Sequence, residues 1–287
     1  MNPPLGLLFL KGAVMRSVDR FLNEQGQVIR WPSKFTDQER VVGYLGAKFE
    51  PGKLYSEGEV NEVLKKWHTF DDWAILRREL VDRELLLRDI EGHSYRLTPQ
   101  LVDFEKPSNF LADALDFLRN GSLILDLGCG NGRNLRPLLG VAEKVVAVDK
   151  DSEQLEKLSS EYQDEISAGR LEVGVIDLET SFPEGSFDAI WCSMVLHFFA
   201  KERASELVRL MQEHTKPEGV NVIIMFTDTN PKGRRPYMVA SGELARLYEG
   251  WEILHDTQGY SNWYYMEEDE MYRRSHNAFF VAKRMGL

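Results

Sequence analysis

One stretch, Leu123-Ile124-Leu125-Asp126-Leu127-Gly128-Cys129-Gly130-Asn131-Gly132-Arg133-Asn134, limits what this chain can fold into more than any other. Apolar residues read as a buried strand, three glycines follow at alternate positions, and a helix is expected over 131–139. Glycine permits the tight turn, and its bare Cα lets a ligand lie against main-chain amides where the helix begins. The strand needs a neighbour, and residues 144–149 provide one. That second strand ends in Val146-Ala147-Val148-Asp149, with Asp149 coming 19 residues after Gly130. A carboxylate at such a tip is placed to accept hydrogen bonds from both hydroxyls of a ribose. An ordinary strand–helix turn and a helix N-cap are the plainer readings of the same residues.

The alternation continues. Further strands are expected at 171–176, 187–193, 220–226, 251–255 and 276–283, with helices at 152–162 and 204–215. Repeated strand–helix units imply an α/β fold whose mostly parallel sheet is covered on both faces. Residues 256–275 are too polar and irregular for a crossover helix, so an antiparallel terminal hairpin at the sheet edge fits the last two strands. Val175-Ile176-Asp177-Leu178 closes the third strand with a carboxylate beside an apolar residue, a pair able to accept an adenine amino proton and pack the ring. Phe187–Ser193 leads into Met194-Val195-Leu196-His197-Phe198-Phe199. These lie beyond a strand's carboxyl end, where open parallel sheets bind ligands.

The N-terminal third has another texture. Val60, Val63, Leu64 and Trp67 form one helical stripe, with Ser56 as N-cap and Glu59 three residues on. A second helix starts near Asp71 with Trp73, Leu76 and Leu80 on one face. A hairpin then runs from Leu85–Asp89 through Glu91-Gly92 to His93–Leu97. Two helices and a hairpin outline a winged helix-turn-helix. Residues 1–97 are therefore expected as a small α+β domain, 98–109 as a linker with two prolines, and 110–287 as the second domain.

Composition enters through charge. Residues 1–107 are nearly balanced, 16 basic against 17 acidic, so almost all of the net −11 lies after them. That disfavours a general polyanion binder. Cys129 and Cys192 cannot make a disulfide framework, which points to a reducing, cytoplasmic setting. The apolar run Leu5–Leu10 is too short to span a bilayer. The six histidines show no metal-ligand spacing.

The sequence LDLGCGNGRN, then VVAVD, then ID-L, then FDAIWCSMVLHFF resembles the class I S-adenosylmethionine-dependent methyltransferases, from about residue 108 onward. MQEHTKPEGVNVII, GELARLYEGWEIL and the closing AFFVAKR are similar to the tellurite-resistance-type branch. A Gly-x-Gly-x-x-Gly dehydrogenase fits less well, because the third glycine arrives one residue early. The resemblance implies a Rossmann-like sheet, S-adenosyl-L-methionine as cofactor and S-adenosyl-L-homocysteine as product. It further implies that Asp126 through Gly132, with Gly128, Cys129 and Gly130 between them, form the loop around the methionine part and ribose, and that Asn134 also binds the cofactor. Asp149 would hold the ribose diol, Lys150 would flank the adenine, Asp177 and Leu178 would hold it, and Ser193 with the residues just after it would line the path to the methyl group. Relatives acting on tellurite carry a His-Arg pair before the final strand; here Asn262-Trp263-Tyr264-Tyr265 and Arg273-Arg274-Ser275-His276 stand there, which suggests a different acceptor pocket. Residues 20–97, with KFEPGKLYSEGEVNEVL and LRRELVDRELLLRD, are similar to an uncharacterised winged-helix-like bacterial domain.

His197 and His276 are candidates to deprotonate or orient an acceptor, with packing and an edge-strand surface as their plainer roles. Tyr264, with Tyr260, Trp263 and Tyr265, is a candidate aromatic wall, or else part of a core. Arg234, Arg235, Arg273 and Arg274 are candidates to attract an anionic acceptor, or else solvated charge. The expected partner is a small-molecule methyl acceptor, with the N-terminal domain as lid, dimerisation element of a homodimer, or partner contact. Two other functions fit less well. A cofactor-sensing transcription regulator needs Arg77, Arg78, Arg83, Arg88 and Arg96 on DNA, but Glu79, Asp82, Glu84 and Asp89 are interleaved among them. A macromolecule methyltransferase lacks support because Ser193-Met194-Val195-Leu196 stands where an Asn/Asp-Pro-Pro-Tyr motif belongs.

Overall fold

The computed structural model describes residues 18–98, 110–231, 235–266 and 270–286. Two compact units, Met1–Val102 with Ser261–Ser275 and Asp103–Tyr260 with His276–Leu287, account for them. The apolar run at 5–10, nearly all of the expected linker and Arg234 lie outside the described residues.

The first unit contains α1 (Phe35–Gly46), β1 (Tyr55–Ser56), α2 (Glu57–Trp67), α3 (Trp73–Asp82), β2 (Leu86–Arg88) and β3 (Ser94–Leu97). Ser56 and Glu59 form the expected reciprocal capping box at α2, and Asp72 caps α3 through the Ile75 amide. Val60, Leu64, Leu76 and Leu80 are fully buried, as their helical stripes require. The three strands pair antiparallel in the order β1-β3-β2. Neither α1 nor β1 is evident in the sequence: Gly43, Gly46 and two adjacent valines lower the helix propensity of Phe35–Gly46.

The second unit runs through α4 (Leu111–Leu115), β4 (Ser122–Leu127), α5 (Leu135–Val141), β5 (Ala142–Asp149), α6 (Ser152–Glu161), α7 (Gln163–Ser167), β6 (Leu171–Val175), β7 (Phe187–Ser193), α8 (Lys201–His214), β8 (Thr215–Phe226), α9 (Glu243–Leu247) and β9 (Glu252–Tyr260). The chain then forms β10 (Tyr264–Met266) and β11 (Met271–Arg273), an antiparallel pair of the first unit, before returning as β12 (His276–Lys283). Among the described residues the large sheet has seven strands in the order β6-β5-β4-β7-β8-β12-β9. Neighbours from β6 to β8 pair parallel. β12 is antiparallel to both β8 and β9. The final hairpin is thus present, with β12 inside the sheet and only β9 at the margin.

Two apolar layers sandwich this sheet. Ile124, Val145, Trp191 and Ile224 point to one, Leu125, Ile190, Ile223 and Phe280 to the other. Both faces are covered, which is why the strands read as continuous apolar runs. The helix after the glycines starts at Leu135 rather than Asn131, because the turn itself occupies the intervening residues.

The sequence reading of 110–287 as one continuous domain needs correction at Ser261–Ser275. This segment belongs to the first unit, where Trp263 and Tyr272 join the core of Val41, Leu45, Leu80 and Leu85. Its ends are pinched together, with the Ser261 amide donating to the Ser275 carbonyl at 2.7 Å and the Ser275 amide to Ser261 Oγ at 3.0 Å. Gly43 is where the insert presses closest: a Cβ there would stand 1.9 Å from the Tyr272 carbonyl oxygen. The glycine that weakens α1 locally is what admits the insert's backbone.

Candidate functional site

Strand β4 delivers Asp126 to the carboxyl edge of the sheet, and the chain then turns through the glycines. Gly128, Gly130 and Gly132 all have positive φ, at 75°, 53° and 76°. The Gly128 and Cys129 amides both donate to the Val148 carbonyl, at 2.8 and 3.0 Å, which ties the loop to β5. A Cβ on Gly128 would meet Val195 at 2.4 Å, and one on Gly132 would meet Leu158 at 2.5 Å. Gly130 differs, since a Cβ there would find nothing within 4 Å. Its two neighbouring glycines are needed for packing; Gly130 faces open space.

Asp149 joins the loop from the next strand. The Gly130 amide donates to Asp149 Oδ2 at 2.9 Å and the Asp151 amide to Oδ1 at 3.1 Å. A carboxylate oxygen has two lone pairs, so each retains capacity for a ligand hydroxyl. From β6, the Ile176 amide donates to the Asp149 carbonyl at 2.9 Å, bringing the next turn alongside. There Asp177 is exposed and accepts from the Glu179 amide at 2.9 Å, while Leu178 is buried. Lys150 is exposed and Asn134 buried.

Three buried polar atoms on one face of the sheet have no hydrogen-bond partner among the described residues: Asp126 Oδ2, Trp191 Nε1 and Ser193 Oγ. Asp126 pairs in register with Trp191, and Ser193 follows two residues later, so all three project to the same side. Unsatisfied buried polar atoms are costly, and their grouping at a strand edge fits a ligand that completes them. Burial, reinforced by the Asp149 charge and opposed by Arg133, pushes the Asp126 carboxyl up to about 7. Burial, followed by the nearby Asp126 and Asp149 charges, also raises the Cys129 thiol, keeping it protonated. It packs rather than reacts.

Beyond β7 the backbone is strained. Met194 adopts φ 62°, held by its amide's 2.7 Å bond to the Ile224 carbonyl; a non-glycine residue pays roughly 1–2 kcal/mol there. His197 follows on a short 3-10 turn, only 2% exposed, with its ring 4.3 Å from those of Phe198 and Phe226. His276 opens β12, and its Nδ1 lies 2.6 Å from Thr227 Oγ1 and 3.0 Å from Thr229 Oγ1. The Tyr260 ring meets it edge-on at 4.7 Å.

Tyr264, one of the expected site residues, belongs to the first unit, whereas the glycine loop belongs to the second. It is buried in the β10–β11 hairpin of the first unit, and Trp263 donates its Nε1 to the Arg83 carbonyl at 2.7 Å in that unit's core. Among the expected aromatic wall, only Tyr260 belongs to the unit that holds the glycine loop. Arg274 is likewise spoken for: its Nε and Nη2 donate to the two oxygens of buried Glu39 at 2.6 and 2.8 Å, and Arg83 also pairs with Glu39. Arg133, whose charge opposes the rise at Asp126, and Trp191, with its unsatisfied Nε1, are contributors that no motif in the sequence marks. Among the described residues, no three His, Cys, Asp or Glu side chains gather as a metal site, and no helix is long and apolar enough to cross a membrane.

This strand order and this edge define the fold of the class I S-adenosylmethionine-dependent methyltransferases. The match to the family described as tellurite resistance protein TehB covers residues 104–271, and the chain belongs to that family. Residues 27–97 match a family described as an uncharacterized protein conserved in bacteria. A probable S-adenosyl-L-methionine-dependent methyltransferase, TehB, of Haemophilus influenzae is 30% identical over 134 residues, 46% of each chain. The chain thus spans about half the length of the curated relatives it matches. The crystal structure of TehB from Haemophilus influenzae superposes with a TM-score of 0.55 at 22% identity, covering 67% of this chain and 68% of that one. A putative methyltransferase from Bacillus halodurans gives 0.52 at 14% identity, covering 62% and 100%.

Proposed function

We propose that this chain transfers a methyl group from S-adenosylmethionine to a small-molecule acceptor by in-line displacement at the carboxyl edge of its large sheet. The observation that carries the reading is the junction of Gly130 and Asp149: an open glycine whose amide holds the carboxylate at the tip of the neighbouring strand. The unsatisfied Asp126, Trp191 and Ser193 atoms beside it support a polar ligand there. When bound, the cofactor supplies a methyl group activated on a sulfonium sulfur.

The chain's own contribution is placement. Asp149 is fixed by two amides before any ligand arrives, so holding a ribose diol requires no rearrangement of the carboxylate. The loop of Gly128–Gly132 gives main-chain approach, and Leu178 gives an apolar surface next to Asp177 for a base. Good alignment of reacting groups can supply up to ~7–11 kcal/mol of a barrier. Of the two histidines, we assign His276 to the acceptor. It is only partly buried and its Nδ1 is held by threonine hydroxyls, so the ring orientation is fixed. His197 is packed among phenylalanines and serves to shape the edge. The difference before β12 from tellurite-acting relatives favours an acceptor other than tellurite. The N-terminal unit is then a lid, a dimerisation element or a partner contact.

Calorimetry with S-adenosylmethionine and S-adenosylhomocysteine tests the reading, followed by a screen of small acceptors with labelled methyl donor. Micromolar binding of either nucleoside, lost in Asp149→Ala, supports it. No association of either with the wild-type chain overturns it.

A further inference from the structure

We propose that the N-terminal unit binds a small planar anion, a flat ring bearing a carboxylate or phosphate, in the cleft where residues 30–34 lead into α1. The cleft measures about 390 Å³ and is lined in part by Arg20, Phe21, Arg30, Trp31, Lys34 and Asp37. That size lies within the ~300–1,000 Å³ of small-molecule pockets.

Its charge is what selects an anion. Asp37 is buried, and its carboxylate is already engaged by Arg20 and by Arg40 Nη1, the latter at 2.8 Å. Arg30 and Lys34, both exposed, have no carboxylate partner among the described residues. The cleft therefore presents two uncompensated cations and a third held in place, within a chain of net charge −11. Guanidinium groups bind carboxylate and phosphate with paired N–H donors.

Its walls select a ring. The Arg20 and Arg30 guanidinium carbons lie over the Phe21 ring at 4.8 and 5.7 Å from its centroid, which restrains both heads. Half-buried Trp31 supplies a flat apolar surface beside them. The cleft's size suits a single small ligand, and the acidic residues interleaved along α3 oppose a long polyanion. Nothing in this site draws on the glycine loop, which belongs to the other unit.

The test is calorimetry on the full chain at ~150 mM salt, where weak surface attraction is screened. Benzoate, AMP and inorganic phosphate are the probes. The expected result is saturable one-site binding of benzoate or AMP, weakened at least tenfold in Arg30→Ala/Lys34→Ala and retained in Asp149→Ala. Tighter benzoate binding identifies a carboxylate ligand, tighter AMP binding a phosphate ligand. Both substituted side chains are exposed, so the double variant keeps its fold, and unchanged thermal unfolding registers that. The proposal fails if neither ring compound saturates by about 10 mM, or if phosphate binds as tightly as AMP and benzoate does not bind. It also fails if binding survives the double variant. AMP binding that vanishes in Asp149→Ala and persists in the double variant places AMP at the glycine loop and overturns the cleft assignment, whatever the fate of the methyl-transfer reading.

Discussion

Asp149 and Asp126 stand next to each other in the site, yet their environments set them apart. Asp149 accepts two amide hydrogen bonds, whereas Asp126 is 1% exposed and has an oxygen with no partner among the described residues. Removing the first carboxylate should weaken S-adenosylhomocysteine binding at least tenfold, about 1.4 kcal/mol or more, as read by calorimetry. The second predicts a pH effect. Its carboxyl titrates near 3.8 when unfolded and about 7 when folded. Between those values the unfolded chain has released a proton that the folded chain keeps, so stability falls as pH rises through that window and levels off above it. Asp126→Asn mimics the protonated acid and should raise the melting temperature at pH 8 by several degrees while leaving it nearly unchanged at pH 4. A flat difference across pH would contradict the assignment. The positions of both aspartates on strand ends are legible in the sequence; their unequal titration is not, because it depends on burial by residues far along the chain.

The glycine loop behaves as an element whose three glycines do different work. Gly128 and Gly132 must be small because Val195 and Leu158 press against them, and all three have left-handed backbone. Gly132→Ala therefore combines backbone strain with overpacking and should cost about 2–4 kcal/mol of folding stability. Gly130→Ala meets only the strain, about 1–2 kcal/mol. Its methyl group, however, stands in the open space assigned to the cofactor. We expect Gly130→Ala to remain folded and lose nucleoside binding at least tenfold, measured by parallel thermal unfolding and calorimetry. The alternate spacing of glycines made the loop visible in sequence. Which glycine faces a neighbour and which faces a ligand required knowing where Val195 and Leu158 fall. Strand β9 shows the same limit: its polar second half, 256–260, disguised it as a loop, because an edge strand has less to bury.

At the scale of the whole molecule, the segment Ser261–Ser275 leaves the large sheet between β9 and β12 and completes the core of the first unit. Trp263, Tyr264, Met271 and Tyr272 are each at most 5% exposed, and Glu39 is clamped by Arg83 and Arg274. A chain starting at residue 110 exposes those four side chains and should aggregate in size-exclusion chromatography. Replacing Ser261–Ser275 with a short turn in that truncated chain should restore a soluble monomeric fold, because the pinched ends already lie within hydrogen-bonding distance. Breaking the clamp by Glu39→Ala leaves the buried Arg83 and half-buried Arg274 guanidinium groups without their shared partner. A loss of about 3–5 kcal/mol is expected from denaturant unfolding of the full chain.

Local pattern alone determined the alternation of strands and helices from Leu123 onward, the glycine turn, the acidic strand tip and the capped helices of the first unit. Each is written in residues close together, where apolar period, turn chemistry and capping act within a few positions. Tertiary structure decided the rest: that Tyr264, Trp263 and Arg274 serve the first unit, that α1 tolerates glycine where the insert's backbone crosses it, and that three unsatisfied polar atoms share one face of the sheet. Those outcomes depend on burial and on contacts between residues up to 235 positions apart, as between Glu39 and Arg274, and no local periodicity encodes them.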